Sequence, residues 1–460
     1  MVQEYDNIVP TNYGKYANDK EVAREVFEEL EELVNEDTWD FMRISHCKRN
    51  GRIIKVIKIQ NYVGIIQLKS GRQIEILPKV FFGKDTVGDE TETKEEKTKR
   101  LFLKMLHSMK DFKTFHMAHL NVKKMGLYEF FINMYLQEVR WLVKRGIKSG
   151  YENQEDNLTY CKGKILTGQH IRRNFIHKER FYVSYDEFSP NRPENRLIKA
   201  VLCKLQKLST DERNLKEIKQ LLAFFENVDA STNYEKDFSQ VVIGRNTKEY
   251  EALMQWSKVF LTDKSFTTFS GKDQATAFLF PMEQVYESYV AQQVKRIFTD
   301  WNVSCQDKGK YLFKPNRFDP NGFAIRPDVV LRNKDRTIIF DTKWKKLKEK
   351  EIHYGIKQED MYQMFAYSNI YDAREVWLLY PLNEEMKDYA SPGEIYYESE
   401  DGTTVKVHFI DMADVETSLT DLKKWIEEDI LLFSISGTYN SSNISCFGRP
   451  YLPEKEIYGD

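Results

Sequence analysis

Residues 325–343 read Ile325-Arg326-Pro327-Asp328-Val329-Val330-Leu331-Arg332-Asn333-Lys334-Asp335-Arg336-Thr337-Ile338-Ile339-Phe340-Asp341-Thr342-Lys343. Two short apolar runs, 328–332 and 337–341, flank the polar turn Asn333-Lys334-Asp335-Arg336, which is the pattern of an antiparallel hairpin. Asp328 opens the first run and Asp341 closes the second, so folding the hairpin carries both acids to the same end of the sheet. Lys343 stands two residues past Asp341, and strand side chains repeat with period two, so these two point to one face. Two carboxylates and an ammonium converge.

That grouping suits a hard cation and a phosphate ester. Mg²⁺ prefers oxygen ligands, typically takes one or two protein carboxylates, and keeps positions for water and substrate phosphate. Asp328 and Asp341 are therefore the candidate metal ligands, with Lys343 as the third catalytic group. A lysine at this place serves to position or deprotonate an attacking water, or to stabilise developing charge, and those roles stay open. The acid-x-Lys triplet alone is common: Glu92/Lys94, Glu95/Lys97, Glu217/Lys219, Glu385/Lys387 and Asp421/Lys423 all match, and a surface ion pair is the plain reading of each. Of these, only Asp341/Lys343 ends an apolar strand with Pro327-Asp328 one strand earlier. A carboxylate closing such a run is costly to bury without a partner, which favours a site. Glu283 and Glu287 share a helix face four residues apart and are candidates for a further ligand or for solvent; Gln363 and Tyr367 are spaced alike, as substrate-orienting groups or core.

Outward from the hairpin, the pattern predicts a helix over 282–299 and a strand near 311–313 before it. A helix over 358–371, strands over 375–380 and 403–410, and a helix over 419–430 follow it. Helix, strands, helix, strand is the order of an α/β sandwich around a central mixed sheet. Near the N-terminus, Val22, Val26, Phe27, Leu30, Leu33 and Val34 recur at helical spacing, and strands are expected over 52–59, 62–68 and 72–77. The polar stretch 84–100 reads as a loop, and 101–264 as mostly helical, with helices over 127–147, 196–208 and 215–225 whose aromatic stripe is core. The expected class is thus an α+β or α/β multidomain protein: a β-rich region 1–120, a helical region 121–265 and an α/β domain 266–460.

Composition fits that picture. At 460 residues the chain exceeds one ordinary core, and 41% hydrophobic with 30% charged residues describes a globular protein. Apolar stretches such as 53–59 are too short for a membrane span, and the N-terminus lacks the pattern of a secretory signal. Cys47, Cys161, Cys203, Cys305 and Cys446 are scattered, which argues against a disulfide framework or thiolate zinc site and fits the cytoplasm. His116 and His119 lack a third ligand nearby. The net charge of −2 excludes no nucleic-acid role, because phosphate binding needs only a local basic surface. Two runs supply one, unless they are plain solvated faces: Lys162, Lys164, Arg172, Arg173, Lys178 and Arg180, and the lysines from Lys343 to Lys350.

Pro327-Asp328 followed by Asp341-Thr342-Lys343 resembles the PD-(D/E)xK nuclease motif. The surrounding text resembles the McrC family, the nuclease subunits of McrBC-type restriction systems that act on 5-methylcytosine DNA. The matching pieces include Phe280-Pro281-Met282-Glu283, Tyr286-Glu287-Ser288-Tyr289-Val290-Ala291, Asp341-Thr342-Lys343-Trp344-Lys345 and the run from Asp360 to Tyr367. Upstream, Val63-Gly64 through Glu75-Ile76-Leu77-Pro78-Lys79, Arg145-Gly146 through Lys162-Gly163-Lys164, and Pro193-Glu194-Asn195 are similar too. The resemblance implies that Asp328 and Asp341 hold Mg²⁺, that Lys343 is the catalytic lysine, and that Glu287 and Gln363 support them. It also implies a Mg²⁺-dependent endodeoxyribonuclease acting on modified DNA with a hexameric McrB-like AAA+ NTPase, docked through the N-terminal β-rich region. No G-x-x-x-x-G-K-[ST] loop occurs, since Ser270-Gly271-Lys272-Asp273 lacks the upstream Gly and the hydroxyl, so a motor belongs to another chain. Two other readings are a non-catalytic NTPase adaptor that keeps the nuclease fold as a scaffold, and a stand-alone repair nuclease.

Overall fold

The computed structural model describes residues 1–36, 41–49, 51–68, 70–80, 93–109, 126–262, 276–318, 320–334 and 336–436. His116, His119 and the stretch 84–92 lie outside them. The chain divides into two compact units, Met1–Gln292 with Thr342–Lys345, and Gln293–Asp341 with Lys346–Asp460. The regions 1–120 and 121–265 thus fall in one unit, together with the start of the third.

In the first unit, the amphipathic helix forms at Arg24–Glu36 and buries Val26, Phe27, Leu30 and Leu33. Val22, expected on it, instead ends a strand, Asp19–Val22. The helix covers a four-stranded sheet in the order Asp19–Val22, Asn7–Pro10, Arg52–Ile59, Met42–Arg49. Two of those strands, Asp19–Val22 and Met42–Arg49, carry so many charged side chains that their apolar alternation is masked. A second sheet runs Val2–Gln3, Gln73–Leu77, Tyr62–Gln67, Thr276–Pro281. At Gly64 in its third strand φ is +136°, and an added Cβ would lie 1.8 Å from the Phe278 carbonyl oxygen, so only glycine allows this approach.

Two expectations need correction here. The polar stretch was expected to run as a loop to residue 100, but Lys94–Leu106 is a helix. Thr93 starts it with a capping box: its hydroxyl accepts from Glu96 N (3.2 Å) while the Glu96 carboxylate accepts from Thr93 N (2.8 Å). The region 101–264 is helical at Leu127–Arg145, Pro193–Leu208, Glu212–Phe224 and Glu251–Thr262, but it also holds a sheet of Gly150–Leu158, Phe181–Ser189 and Lys164–Ile165. Gly150–Leu158 reads Gly-Tyr-Glu-Asn-Gln-Glu-Asp-Asn-Leu, a strand with almost no apolar signal, held by nine paired positions to Phe181–Ser189. Half of the basic run lies on this sheet and its helix Thr167–Asn174 and half on the connecting segments, with Lys164, Arg172, Arg173, Lys178 and Arg180 exposed.

The aromatic stripe is core as expected, with Phe131 stacked on Phe278 at 5.0 Å. Buried polar groups fix the joins. Glu75 accepts from Leu127 N (2.6 Å), meeting one of the four donors that a helix leaves open at its start. Asn195 donates to the Lys148 and Pro190 carbonyls and accepts from the Tyr250 hydroxyl, so the Pro193-Glu194-Asn195 segment is scaffold.

The second unit is built on a six-stranded sheet in the order Asn302–Cys305, Val329–Asn333, Arg336–Thr342, Glu375–Pro381, Thr404–Ile410, Tyr396–Glu398. Asn302–Cys305 and Val329–Asn333 pair antiparallel, whereas Glu375–Pro381 and Thr404–Ile410 pair parallel, so the sheet is mixed as the sequence implied. One face packs under helix Gln358–Tyr371, where Val330, Ile339, Val376 and Leu378 meet Met364 and Tyr367. On helix Val415–Ser436, Trp425 meets Trp377 at 5.2 Å, and Phe298 meets Phe340 at 5.6 Å.

Candidate functional site

The hairpin forms with Val329 opposite Phe340, Val330 opposite Ile339 and Leu331 opposite Ile338. Continued one step outward, to the bend just before the strand, that register puts Asp328 across from Asp341 at the same end of the hairpin. Side chains alternate along a strand, so Asp328 shares the face of Val330, and Asp341 that of Ile339. That face lies under the helix bearing Gln363 and Tyr367. Directly opposed positions of an antiparallel pair bring Cβ atoms to about 4.5–5.5 Å, where like charges destabilise the sheet. Asp341 is only 2% exposed, which sharpens that cost.

Tyr367 ties the site together. Its hydroxyl accepts from Gln363 Nε2 (2.7 Å) and donates to the Arg326 carbonyl (3.1 Å), two residues before Asp328. The Asp328 carbonyl accepts from Gln306 N (2.8 Å), so the backbone is held on both sides of Pro327. Burial pushes the Tyr367 phenol above its ordinary range, and the Asp341 and Asp328 carboxylates push it further, which puts both in electrostatic reach of one hydroxyl. Tyr380, on the neighbouring strand, is raised by burial and then by Asp360 and Asp341. Tyr380 and Asp360 escaped the sequence reading of the site; the only hint was their position at the end of an apolar strand and within the Asp360–Tyr367 run. A cavity of about 570 Å³ opens beside Tyr367 and Gln363, walled also by Leu312, Arg326 and Tyr362.

Lys343 and Glu287 belong to the first unit. Lys343 is half-buried just past the end of strand Arg336–Thr342. Its neighbour Trp344 donates its indole N–H to the Glu4 carboxylate (2.8 Å) and packs on Tyr286, with ring centroids 5.1 Å apart. Glu287, half-buried, follows Tyr286 on helix Met282–Ile297. Glu4 is a support that no sequence pattern announces, since its partner lies 340 positions away in the chain.

The donor chemistry discriminates among metals. Among the described residues, no group of three or more His, Cys, Asp and Glu side chains is arranged to hold an ion. A facing carboxylate pair fits Mg²⁺, whose remaining ligands are water and phosphate oxygens. No helix among the described residues is long and apolar enough to cross a membrane.

Fold and site define a multidomain α+β protein with two acidic residues at the same end of a mixed sheet. The chain belongs to the family described as McrBC 5-methylcytosine restriction system component, whose model matches residues 57–381. No curated protein matches it. Among solved structures it is similar to a chain of the refined half-complex from the tetradecameric assembly of Thermococcus gammatolerans McrB AAA+ hexamers with bound McrC. The TM-score is 0.61 at 17% identity, covering 92% of this chain and 99% of that one. A second match, to the cryo-EM structure of the Thermococcus gammatolerans McrBC complex, has a TM-score of 0.43 at 18% identity, over 65% of this chain and 87% of that one. At 17% identity the first likeness bears on fold alone.

Proposed function

We propose that this chain is the DNA-cleaving subunit of a modification-dependent restriction complex, a Mg²⁺-dependent endonuclease of the PD-(D/E)xK type that works with a partner AAA+ NTPase. The observation that carries the proposal is the hairpin, whose register continued one step past Val329 and Phe340 brings Asp328 across from Asp341, both within electrostatic reach of the Tyr367 hydroxyl. Like charges so placed are unfavourable unless a cation lies with them. The mixed sheet with helix Gln358–Tyr371 on one face is consistent with a restriction-endonuclease-like domain, and membership of the McrBC family supports the substrate class.

Asp328 and Asp341 would hold the Mg²⁺, which when bound offsets phosphate charge and acidifies water. Lys343, two residues along from Asp341, supplies a positive charge for the water or for the developing charge on phosphate. Tyr367 and Gln363 fix the strand start that carries Asp328, and Glu287 stays a softer candidate for support. The partner is inferred from the Thermococcus gammatolerans assembly of McrB AAA+ hexamers with bound McrC, and the N-terminal β-rich region is the proposed docking surface.

The test is plasmid cleavage by the full chain with its AAA+ partner and nucleotide, on methylated and unmethylated DNA. Cutting should require Mg²⁺, stop with chelator and disappear in Asp328→Asn. Cutting that survives both would remove the metal-site reading.

A further inference from the structure

Just before the hairpin, Tyr311–Phe313 and Phe323–Ala324 pair antiparallel as a separate two-stranded ribbon. Its base is anchored: Ile325 N donates to the Lys310 carbonyl (3.1 Å), while Lys310 Nζ donates to the Ile370 carbonyl (2.8 Å) on helix Gln358–Tyr371. Its tip is tightly closed at Gly322, where φ is +58° and an added Cβ would sit 2.6 Å from Pro315 N. Yet its apolar side chains face water: Phe318 is 94% exposed, Phe313 65% and Phe323 64%. A two-stranded ribbon has too little surface to bury such groups on its own, and clustered exposed rings mark an interaction surface.

Charge identifies the occupant. From 308 to 326 the sequence carries Lys308, Lys310, Lys314, Arg317 and Arg326 against Asp319 alone, in a chain of net charge −2. Lys314, Arg317 and Arg326 are exposed. Basic side chains interleaved with rings match a polyanion whose grooves also present apolar groups such as thymine methyls. Only Ile325, Arg326 and Pro327 separate the ribbon's second strand from Asp328, so whatever lies on the ribbon is close to the carboxylates. A two-stranded ribbon also fits the width of a DNA groove.

We propose that the ribbon 308–326 is a DNA-seating element: it lies against duplex DNA beside the scissile phosphate, with Lys314 and Arg317 on backbone phosphates and Phe318 against the bases. The proposal rests on the nuclease reading above, and its test keeps the two apart. The assay is binding of a short fluorescent duplex by the full chain without divalent cation, followed by anisotropy across a salt series. Lys314→Glu/Arg317→Glu should weaken binding more than tenfold and lower the slope of log affinity against log salt by about 2, at roughly 0.9 per lost phosphate contact. Phe318→Ala should weaken binding about fivefold or more with the slope unchanged. Because all three side chains are exposed, the folded state should not change, which a thermal melt checks.

Binding by these variants equal to wild type, or no binding by wild type, overturns the proposal. So does intact DNA binding with lost affinity for the AAA+ partner, which would make the ribbon a protein-docking surface. Asp341→Ala, measured alongside, keeps every ribbon side chain and should bind DNA at least as tightly as wild type, since it removes a negative charge facing the phosphate. If it also cuts like wild type while the ribbon variants lose binding, the nuclease reading fails and the ribbon stands.

Discussion

Tyr367→Phe removes one oxygen from a packed ring and leaves the rest of the side chain in place. Two hydrogen bonds disappear, one accepted from Gln363 Nε2 (2.7 Å) and one donated to the Arg326 carbonyl (3.1 Å). Gln363 is half-buried and Arg326 exposed, so both former partners can turn to water and the penalty stays near the net value of a hydrogen bond. At about 1 kcal/mol each, the loss is about 1–2 kcal/mol. A domain of this size then melts roughly 2–8 °C lower, at about 2–4 °C per kcal/mol. The functional effect should be larger than the stability effect. Groups that hydrogen-bond behind metal-binding side chains typically cost about 10–100-fold in metal affinity or activity when removed. The expected signature is plasmid cleavage slowed by that factor at low Mg²⁺, partly rescued by raising Mg²⁺. Gln363→Ala should add little to Tyr367→Phe, because both changes delete the same bond. A Tyr367→Phe protein with wild-type rate and wild-type Mg²⁺ dependence would refute the idea that this hydroxyl positions Asp328.

Other predictions follow from the same geometry. His408 is 2% exposed and donates Nε2–H to the Ser418 carbonyl (3.0 Å), and burial lowers its pKa to about 4. The unfolded chain therefore binds the proton first: the stability is complete above about pH 6.5 and drains away as pH falls towards 4, by up to roughly 3 kcal/mol. Urea melts across that range should flatten in His408→Gln, and an unchanged pH profile would count against the assignment. Thr93→Ala removes half of a capping box and should destabilise helix Lys94–Leu106 by about 1 kcal/mol, read as a lower melting temperature of the first unit. Tyr380 is fully buried and its hydroxyl has no hydrogen-bond partner among the described residues, so Tyr380→Phe should keep or raise the melting temperature. A clear drop would mean that the hydroxyl has a partner.

The second unit was legible because its signals are local and strong. Val329-Val330-Leu331 and Ile338-Ile339-Phe340 flank a polar turn, and the alternation alone predicts which end the acids share. Helix Gln358–Tyr371 and strand Glu375–Pro381 announced themselves in the same way. The first unit was harder. Met42–Arg49 and Gly150–Leu158 are polar strands whose formation depends on neighbours distant in sequence, a tertiary effect that no window of residues contains. The helix after Thr93 hid inside a charged stretch, although Thr93 and Glu96 are a capping pattern that could have been read. In the site, the opposition of Asp328 and Asp341 followed from the hairpin. The support from Glu4 to Trp344 joins residues 340 positions apart and had no signal at all.

The most direct test of the central claim is cleavage of methylated plasmid by the full chain with its AAA+ partner, nucleotide and Mg²⁺, comparing wild type with Asp341→Ala. Losing several kcal/mol of charge stabilisation at the phosphate predicts cutting reduced by about 10³-fold or more, with stimulation of the partner's nucleotide hydrolysis unchanged. If the variant cuts as well as wild type, or if wild type does not cut while it still stimulates the partner, the chain is an adaptor on a nuclease-like scaffold and the account is wrong.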